Sequence, residues 1–351
     1  MAYTTIKKPS DYFDTKLHTG TGASKTLAYD FEVDFYWTKM RNDVYSHNLF
    51  DVIRGSNGLL RSNGTNAEVG AANTVSFGNA SGITLGSDSS SYGVNKALTD
   101  SSQPATYVGW GWKANGSGVS NTDGSITSTV SANTTSGFSI VSYTGTGSTA
   151  TVGHGLGVTP KMIITKNRSV VETWRVYHNY LGGGQALALN GTNATDTDAA
   201  YWSNTAPTST VFTVGTTAGT NGSGNSMIAY CFADVQGFSK FGSYVGNGSS
   251  DGTFIYTGFK PSMIIVKRTD SLGSWRMWDN KRNPYNLTDT NLRPNTSDTD
   301  DTSGNQIDML SNGFKIRATV NIGDTNASGG SYIYMAFAEE PLVGDNPATA
   351  R

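Results

Sequence analysis

The sequence predicts an all-β protein made of three tandem β-sandwich repeats, jelly-roll-like, each about a hundred residues long. A recurring motif is the first reason. Pro160-Lys161-Met162-Ile163-Ile164-Thr165-Lys166 is followed by Trp174-Arg175-Val176-Tyr177-His178, and Pro261-Ser262-Met263-Ile264-Ile265-Val266-Lys267 by Trp275-Arg276-Met277-Trp278-Asp279. The tryptophan lies eight residues beyond the lysine both times. A fainter copy, Asp34-Phe35-Tyr36-Trp37-Thr38-Lys39, keeps the same eight-residue step from Lys39 to His47. Composition is the second reason. Gly is 42 of 351 residues and charged residues are 15%, against ordinary shares of ~7% and ~25%. Many short strands with tight turns suit that balance, and helices, whose outer faces favour Glu, Lys and Ala, do not. Only five Glu occur: Glu32, Glu68, Glu172, Glu339 and Glu340. Third, each repeat closes on its most apolar run, ending at Trp112, Phe232 and Phe337 beside the small Gly111, Cys231 and Ala336. Apolar residues on both faces place such a strand in the middle of a sandwich.

Within the motif, Met-Ile-Ile after Pro has the length and start of a buried strand. Trp174, Val176 and His178 alternate with Arg175 and Tyr177, as on a strand with unlike faces. The polar residues between the two runs make a β-hairpin the economical reading; β-branched density argues against one amphipathic helix. Ahead of each motif stands a glycine pair, Gly20/Gly22, Gly145/Gly147 and Gly246/Gly248, which reads as a turn needing positive φ. It lacks the spacing and following helix of a phosphate loop. After each hairpin comes Asn63-Gly64, Asn190-Gly191 or Asn295-Thr296; Asn-Gly is a strong turn signal. Variable loops follow, between 63 and 81, 190 and 209, and 295 and 312, around fixed strands.

These features divide the chain into a first repeat at 1–113, a Gly/Ser/Thr-rich linker or arm at 114–136, a second repeat at 137–236, a third at 237–340 and a tail at 341–351. Residues 1–10 form a lead-in able to dock elsewhere. The second and third repeats abut at Gln236-Gly237-Phe238, so their relation is stiff, while the linker leaves the first repeat free to swing.

A formal net charge of −2 gives no general attraction to nucleic acid or an anionic membrane. No run reaches transmembrane length, and Met1 to Lys8 lacks the apolar core of a signal peptide. The single Cys231 cannot form an intrachain disulfide, and its apolar strand setting marks a structural thiol.

No catalytic set emerges. His18, His47, His154 and His178 have no zinc-site spacing, and no nucleophile elbow is present. His178 occupies the slot of Asp51 and Asp279, which marks a hydrogen-bonding strand-end position. Clustered carboxylates occur in equivalent loops, Thr195-Asp196-Thr197-Asp198 and Ser297-Asp298-Thr299-Asp300-Asp301. They are weak oxygen-ligand Ca²⁺ candidates (Asp196, Asp198, Asp298, Asp300, Asp301), set against the plainer reading of solvated turns. No cofactor is indicated.

Tyr143-Thr144-Gly145-Thr146-Gly147, Gly153-His154-Gly155-Leu156-Gly157-Val158-Thr159-Pro160, the Met-Ile-Ile motifs, Val119 to Ile126 and the closing Tyr332-Ile333-Tyr334-Met335-Ala336-Phe337-Ala338 resemble repeated β-rich virion structural proteins of tailed bacteriophages, notably marine ones. The resemblance spans residues 11–340, and the first repeat departs most, which suggests an attachment unit. It implies a non-enzymatic structural protein, a tail fibre or appendage engaged in host recognition. A capsid decoration or head-fibre protein is the alternative, and a glycan-degrading tailspike the third. Expected partners are other virion proteins, further copies in a homo-oligomer (a trimer among the candidates), and a host-surface glycan or protein. Nucleic acid and membrane insertion are not expected. The expected location is the virion, after synthesis in host cytoplasm. Freedom from disulfides suits a particle assembled in cytosol. A surface of Ser, Thr, Asn and Tyr can form adaptable contacts.

Overall fold

The three motif strands are buried on both faces, with scarcely an exposed position along Phe35–Met40, Met162–Asn167 or Phe259–Arg268. A simple sandwich hides one face of each sheet, so something further must cover the second. In the computed structural model, which describes residues 4–87, 92–318 and 322–349, that cover is the other two repeats.

Unit 1 comprises β1 (Phe13–Thr19), β2 (Lys25–Ala28), β3 (Phe35–Met40), β4 (Asn48–Asp51), β5 (Gly58–Arg61), β6 (Val69–Gly70), β7 (Val75–Asn79), β8 (Gly82–Leu85) and β9 (Thr106–Trp112). Unit 2 comprises β10 (Val119–Asn121), β11 (Ser128–Asn133), β12 (Phe138–Thr144), β13 (Ala150–Gly153), β14 (Met162–Asn167), β15 (Arg175–His178), β16 (Gln185–Ala188), β17 (Asp196–Thr197), α1 (Ala199–Trp202), β18 (Val211–Val214), α2 (Ala218–Asn221) and β19 (Ser226–Phe232). Unit 3 comprises β20 (Ser239–Val245), β21 (Phe254–Tyr256), β22 (Phe259–Arg268), β23 (Arg276–Asp279), β24 (Ile307–Leu310), β25 (Gly313–Ile316) and β26 (Ser331–Pro341). The larger sheets share one antiparallel order, β1-β9-β3-β4, β12-β19-β14-β15 and β20-β26-β22-β23. The closing strand is central each time, and the motif is a hairpin each time, with Trp37 opposite Leu49, Ile164 opposite Val176 and Ile265 opposite Met277. The fold is all-β, as the motif and composition predict.

Each larger sheet turns one face to a smaller sheet of its own unit: β2-β8-β7, β13-β18 or β21-β25-β24. Three separate cores result, containing Tyr36 and Ile83 in unit 1, Ile163, Cys231 and Phe212 in unit 2, and Ile264, Trp278 and Phe314 in unit 3. The opposite faces of the three larger sheets meet in a fourth core common to all units. It includes Phe35, Trp37, Trp110 and Trp112; Ile164, Trp174, Tyr230 and Phe232; and Ile265, Trp275, Met335 and Phe337. Phe35 stacks on Tyr230 at 4.4 Å between centroids, and Phe13 on Phe337 at 4.8 Å. Burying large aromatics there supplies the main attraction between units.

The first repeat is therefore not free to swing. The 114–136 stretch, read from composition as a linker or arm, carries β10 and β11, which extend the unit 2 sheet beyond β12. Val130 and Ile126 enter the unit 2 core. The lead-in also docks on the chain itself: Ile6 joins the shared core, and Thr4 Oγ1 donates to the Gln236 carbonyl at 2.8 Å. In the tail, Ala348 N–H donates to Pro341 C=O at 2.9 Å. The ends of the expected lead-in and tail, 1–3 and 350–351, lie outside the described residues.

The glycine pairs have two different duties. Gly22, Gly147 and Gly248 take φ of +66°, +73° and +72°, which L side chains rarely adopt. At Gly20, Gly145 and Gly246 a Cβ would lie 2.0, 2.2 and 2.4 Å from a carbonyl oxygen of another loop. Those loops hold a third repeated residue that the sequence reading missed. Asn95, Asn221 and Asn326 accept the N–H of Thr21, Thr146 and Asn247 at 3.1, 2.7 and 3.0 Å.

Candidate functional site

The three units meet in cyclic order, and equivalent groups close each seam. The backbone N–H of Glu68 donates to Arg168 C=O at 2.9 Å, that of Thr195 to Thr269 C=O at 2.8 Å, and that of Asp300 to Arg41 C=O at 2.8 Å. Each accepting residue lies two positions after a motif lysine. Lys166 Nζ donates across its seam to Thr65 C=O at 3.1 Å, and Lys267 Nζ to Thr192 C=O at 3.3 Å. Lys39 instead donates to its own loop at Asp43 C=O, 3.2 Å away. Burial pushes all three ammonium groups down to about 8, because losing water disfavours the charged form.

The repeated Asn fixes the hairpin loop. The Oδ1 atoms of Asn63, Asn190 and Asn295 accept the N–H of His47, Trp174 and Trp275, each at 3.0 Å. The indoles then tie units together: Trp174 Nε1 donates to Arg61 C=O and Trp275 Nε1 to Ala188 C=O, both at 2.8 Å. In unit 1, which has His47 at that position, Trp37 Nε1 donates to His47 Nδ1 at 3.0 Å. Five positions after each lysine an apolar side chain stands exposed: Val44, Val171 and Leu272. The hairpin loops and Asn loops thus form a rim at the three seams, with three equivalent apolar knobs. This rim is the candidate site.

The clustered carboxylates lie along it, and arginines or backbone N–H groups engage them. Asp198 caps α1 by accepting the N–H of Ala200 at 2.8 Å. Asp298 pairs with Arg293 at 3.1 Å. Asp300 bridges two units, accepting from Arg41 at 2.8 Å and Arg282 at 3.0 Å. Asp301 accepts from Arg276 at 2.7 Å and Arg293 at 2.5 Å. Asp196 accepts the Tyr201 hydroxyl and stands 4.0 Å from Arg175. Among the described residues no group of three or more His, Cys, Asp or Glu is arranged to hold a metal ion. The five Ca²⁺ candidates do not come together as an oxygen-ligand set.

Burial depresses all four histidines, His18 and His178 to about 4. His178 does hold the strand-end role shared with two aspartates. Its Nδ1 accepts the N–H of Tyr180 at 3.3 Å, while Asp51 accepts from Arg54 N–H at 2.9 Å and Asp279 from Arg282 N–H at 2.8 Å. Burial raises the Cys231 thiol well above its ordinary value.

Two pockets open on the rim. One, of about 640 Å³ at the seam of units 2 and 3, is lined by Arg175, Asn193, Thr195, Asp196 and Leu272 among others. The other, about 410 Å³, brings Tyr45, Arg61 and Asn63 together with Ser297 of unit 3. Arg175 was visible in the motif only as an alternating strand residue, and its pocket depends on the neighbouring unit.

The chain belongs to a family described as a domain of unknown function, DUF7483. The family's model matches residues 8–341, so its span takes in β1 through β26 and all three units. No curated protein matches the chain. Among the described residues no helix is long and apolar enough to cross a membrane.

Proposed function

We propose that the chain is a non-enzymatic structural protein of a tailed-phage virion, a tail fibre or related appendage that meets the host surface through its rim. The observation that carries this reading is the rim itself: three equivalent hairpin loops, each with an exposed apolar tip, on a body whose units share one core. Rigid strands carrying variable loops are the usual arrangement for recognition, and the resemblance of the motifs to virion proteins supplies the setting. A tailspike hydrolase would need two carboxylates as an acid and base pair; of the clustered ones, Asp298, Asp300 and Asp301 are engaged by Arg41, Arg276, Arg282 and Arg293, and Asp198 caps α1.

The test is immunogold labelling of purified particles of the encoding phage, paired with an adsorption assay in which host cells are first saturated with the recombinant chain. Labelled tails and reduced adsorption are expected. Label on heads would favour the decoration role, and infectious particles lacking the chain would remove the virion reading altogether.

A further inference from the structure

Arg175 and Arg276 occupy the same position of their motifs, nine residues after Lys166 and Lys267, yet their surroundings differ. The guanidinium of Arg276 is saturated. Its Nε and Nη2 donate to Asp324 Oδ2 at 2.9 and 2.6 Å, and its Nη1 to Asp301 at 2.7 Å and Asn291 at 2.9 Å. Arg175 has no such partners. Its Nε is buried without a hydrogen-bond partner, and its nearest carboxylate oxygen, on Asp196, is 4.0 Å from Nη1. The guanidinium lies over the Tyr201 ring, 4.4 Å from the centroid, and the side chain is only 21% exposed.

Two substitutions between sister units account for this: Asn291 of unit 3 is matched by Ala186 in unit 2, through the register of Leu292 and Leu187, and Asp324 by Gly219. Asn221 and Asn326 are equivalent through their bonds to the glycine-pair turns, so the residue two positions earlier is Asp324 in unit 3 and Gly219 in unit 2. Gly219 indeed sits against Arg175: a Cβ there would lie 3.1 Å from Arg175 Cγ and 3.4 Å from Nε. The unit that lacks the internal carboxylate is also the one whose arginine lines the 640 Å³ pocket.

We propose that Arg175 is the anchor of a binding site for a carboxylate-bearing, hydroxylated small molecule of the sugar-acid type. A guanidinium edge matches a carboxylate with two N–H donors; in unit 3 the same position directs its Nε and Nη2 at one carboxylate oxygen, Asp324 Oδ2. Asp196 at the mouth disfavours a dianion such as phosphate and can accept a hydroxyl. Asn193 and Thr195 offer further polar groups, and Leu272 an apolar edge. The volume fits a ligand larger than the carboxylate alone. The inference goes beyond the virion reading and stands without it.

The test uses the full chain at neutral pH with glucuronate, acetate and glucose as probes, by calorimetric titration. Glucuronate should bind saturably and glucose should not. Arg175→Gln should weaken glucuronate about tenfold or more, the scale of a lost charge-assisted bond. Gly219→Asp should do the same by supplying the carboxylate from within, without lowering the thermal midpoint. Its backbone φ lies outside the positive range, and the tightest neighbour of an added Cβ, Arg175 Cγ at 3.1 Å, belongs to a flexible side chain that can give by a few tenths of an ångström. Glucuronate binding no better than glucose overturns the site, as does equal binding by Arg175→Gln. Acetate binding as tightly as glucuronate overturns the sugar-acid class.

Discussion

Replacing Trp275 by Ala should destabilise unit 2 as much as unit 3, although Trp275 belongs to unit 3. The indole is 1% exposed in the shared core, and its Nε1 donates to Ala188 C=O of unit 2 at 2.8 Å. Truncating a buried Trp costs about 3–5 kcal/mol, and the carbonyl left without its donor adds about 1 kcal/mol. With a urea slope of about 3 kcal/mol/M, the unfolding midpoint falls by about 1.3–2 M. The lone thiol provides a reporter local to another unit. Cys231 lies in β19, fully buried in the separate core of unit 2, and reacts with a thiol reagent only when that unit opens. Its labelling midpoint should fall together with the circular-dichroism midpoint. Trp278→Ala is the companion variant, because Trp278 lies in unit 3's own core and donates to Asn305 C=O at 2.9 Å within that unit. If the units are one cooperative body, it too lowers the Cys231 midpoint. Thiol labelling at the wild-type midpoint in both variants, with only part of the dichroism lost early, would refute a common core.

Two further predictions concern buried charge. With folded pKa values of about 8 for Lys39, Lys166 and Lys267, the unfolded chain holds protons up to ~10.4 that the folded chain has released. Stability from this source therefore rises between pH 8 and 10, by about 1.4 kcal/mol per pH unit per lysine at most. Urea titrations of wild type and Lys267→Met should diverge by about 2 kcal/mol over that window, and parallel pH curves would contradict the depressed value. In unit 3, Arg282→Leu leaves Asp279 buried beside no matching cation, and thermal unfolding should show a loss of about 3–5 kcal/mol. Unit 2 carries His178 and Leu181 at those two positions, so Asp279→His with Arg282→Leu should recover most of the loss; a double variant no better than the single one would contradict the equivalence.

The hairpins, the central closing strands, the positive-φ turns and the strand-end role of His178 were legible because each is a local matter of periodicity, glycine geometry or side-chain reach. The 114–136 stretch was half legible: the arm reading holds, and the free-linker reading does not. Its Gly and Ser content is that of a linker, but Val119, Ile126 and Val130 are spaced to lie on a sheet edge, and an available edge beside β12 outweighs composition. The partners of the carboxylate clusters were hidden for a related reason. Asp300 and Asp301 stand close together in sequence because Arg41, Arg276, Arg282 and Arg293 converge on them from three directions, and only tertiary structure brings those arginines in.

The shared core left a trace in the sequence all the same. A strand such as Phe35-Tyr36-Trp37 has large aromatics on both faces, and one smaller sheet can cover only one of them. Three repeats with the same surplus face must either bury those faces on one another or expose them. Joining the repeats in one chain then permits what three identical chains could not do: each seam can differ. Seam 1–2 has the Glu68 to Arg168 pair at 2.8 Å, seam 3–1 the Asp300 to Arg41 pair at 2.8 Å, and seam 2–3 keeps an open pocket with an arginine whose internal partner has become Gly219. In a symmetric trimer that vacancy would appear three times and weaken every seam. Here an ion pair ties each of seams 1–2 and 3–1, while at seam 2–3 Arg175 is left without its internal partner and faces the larger pocket.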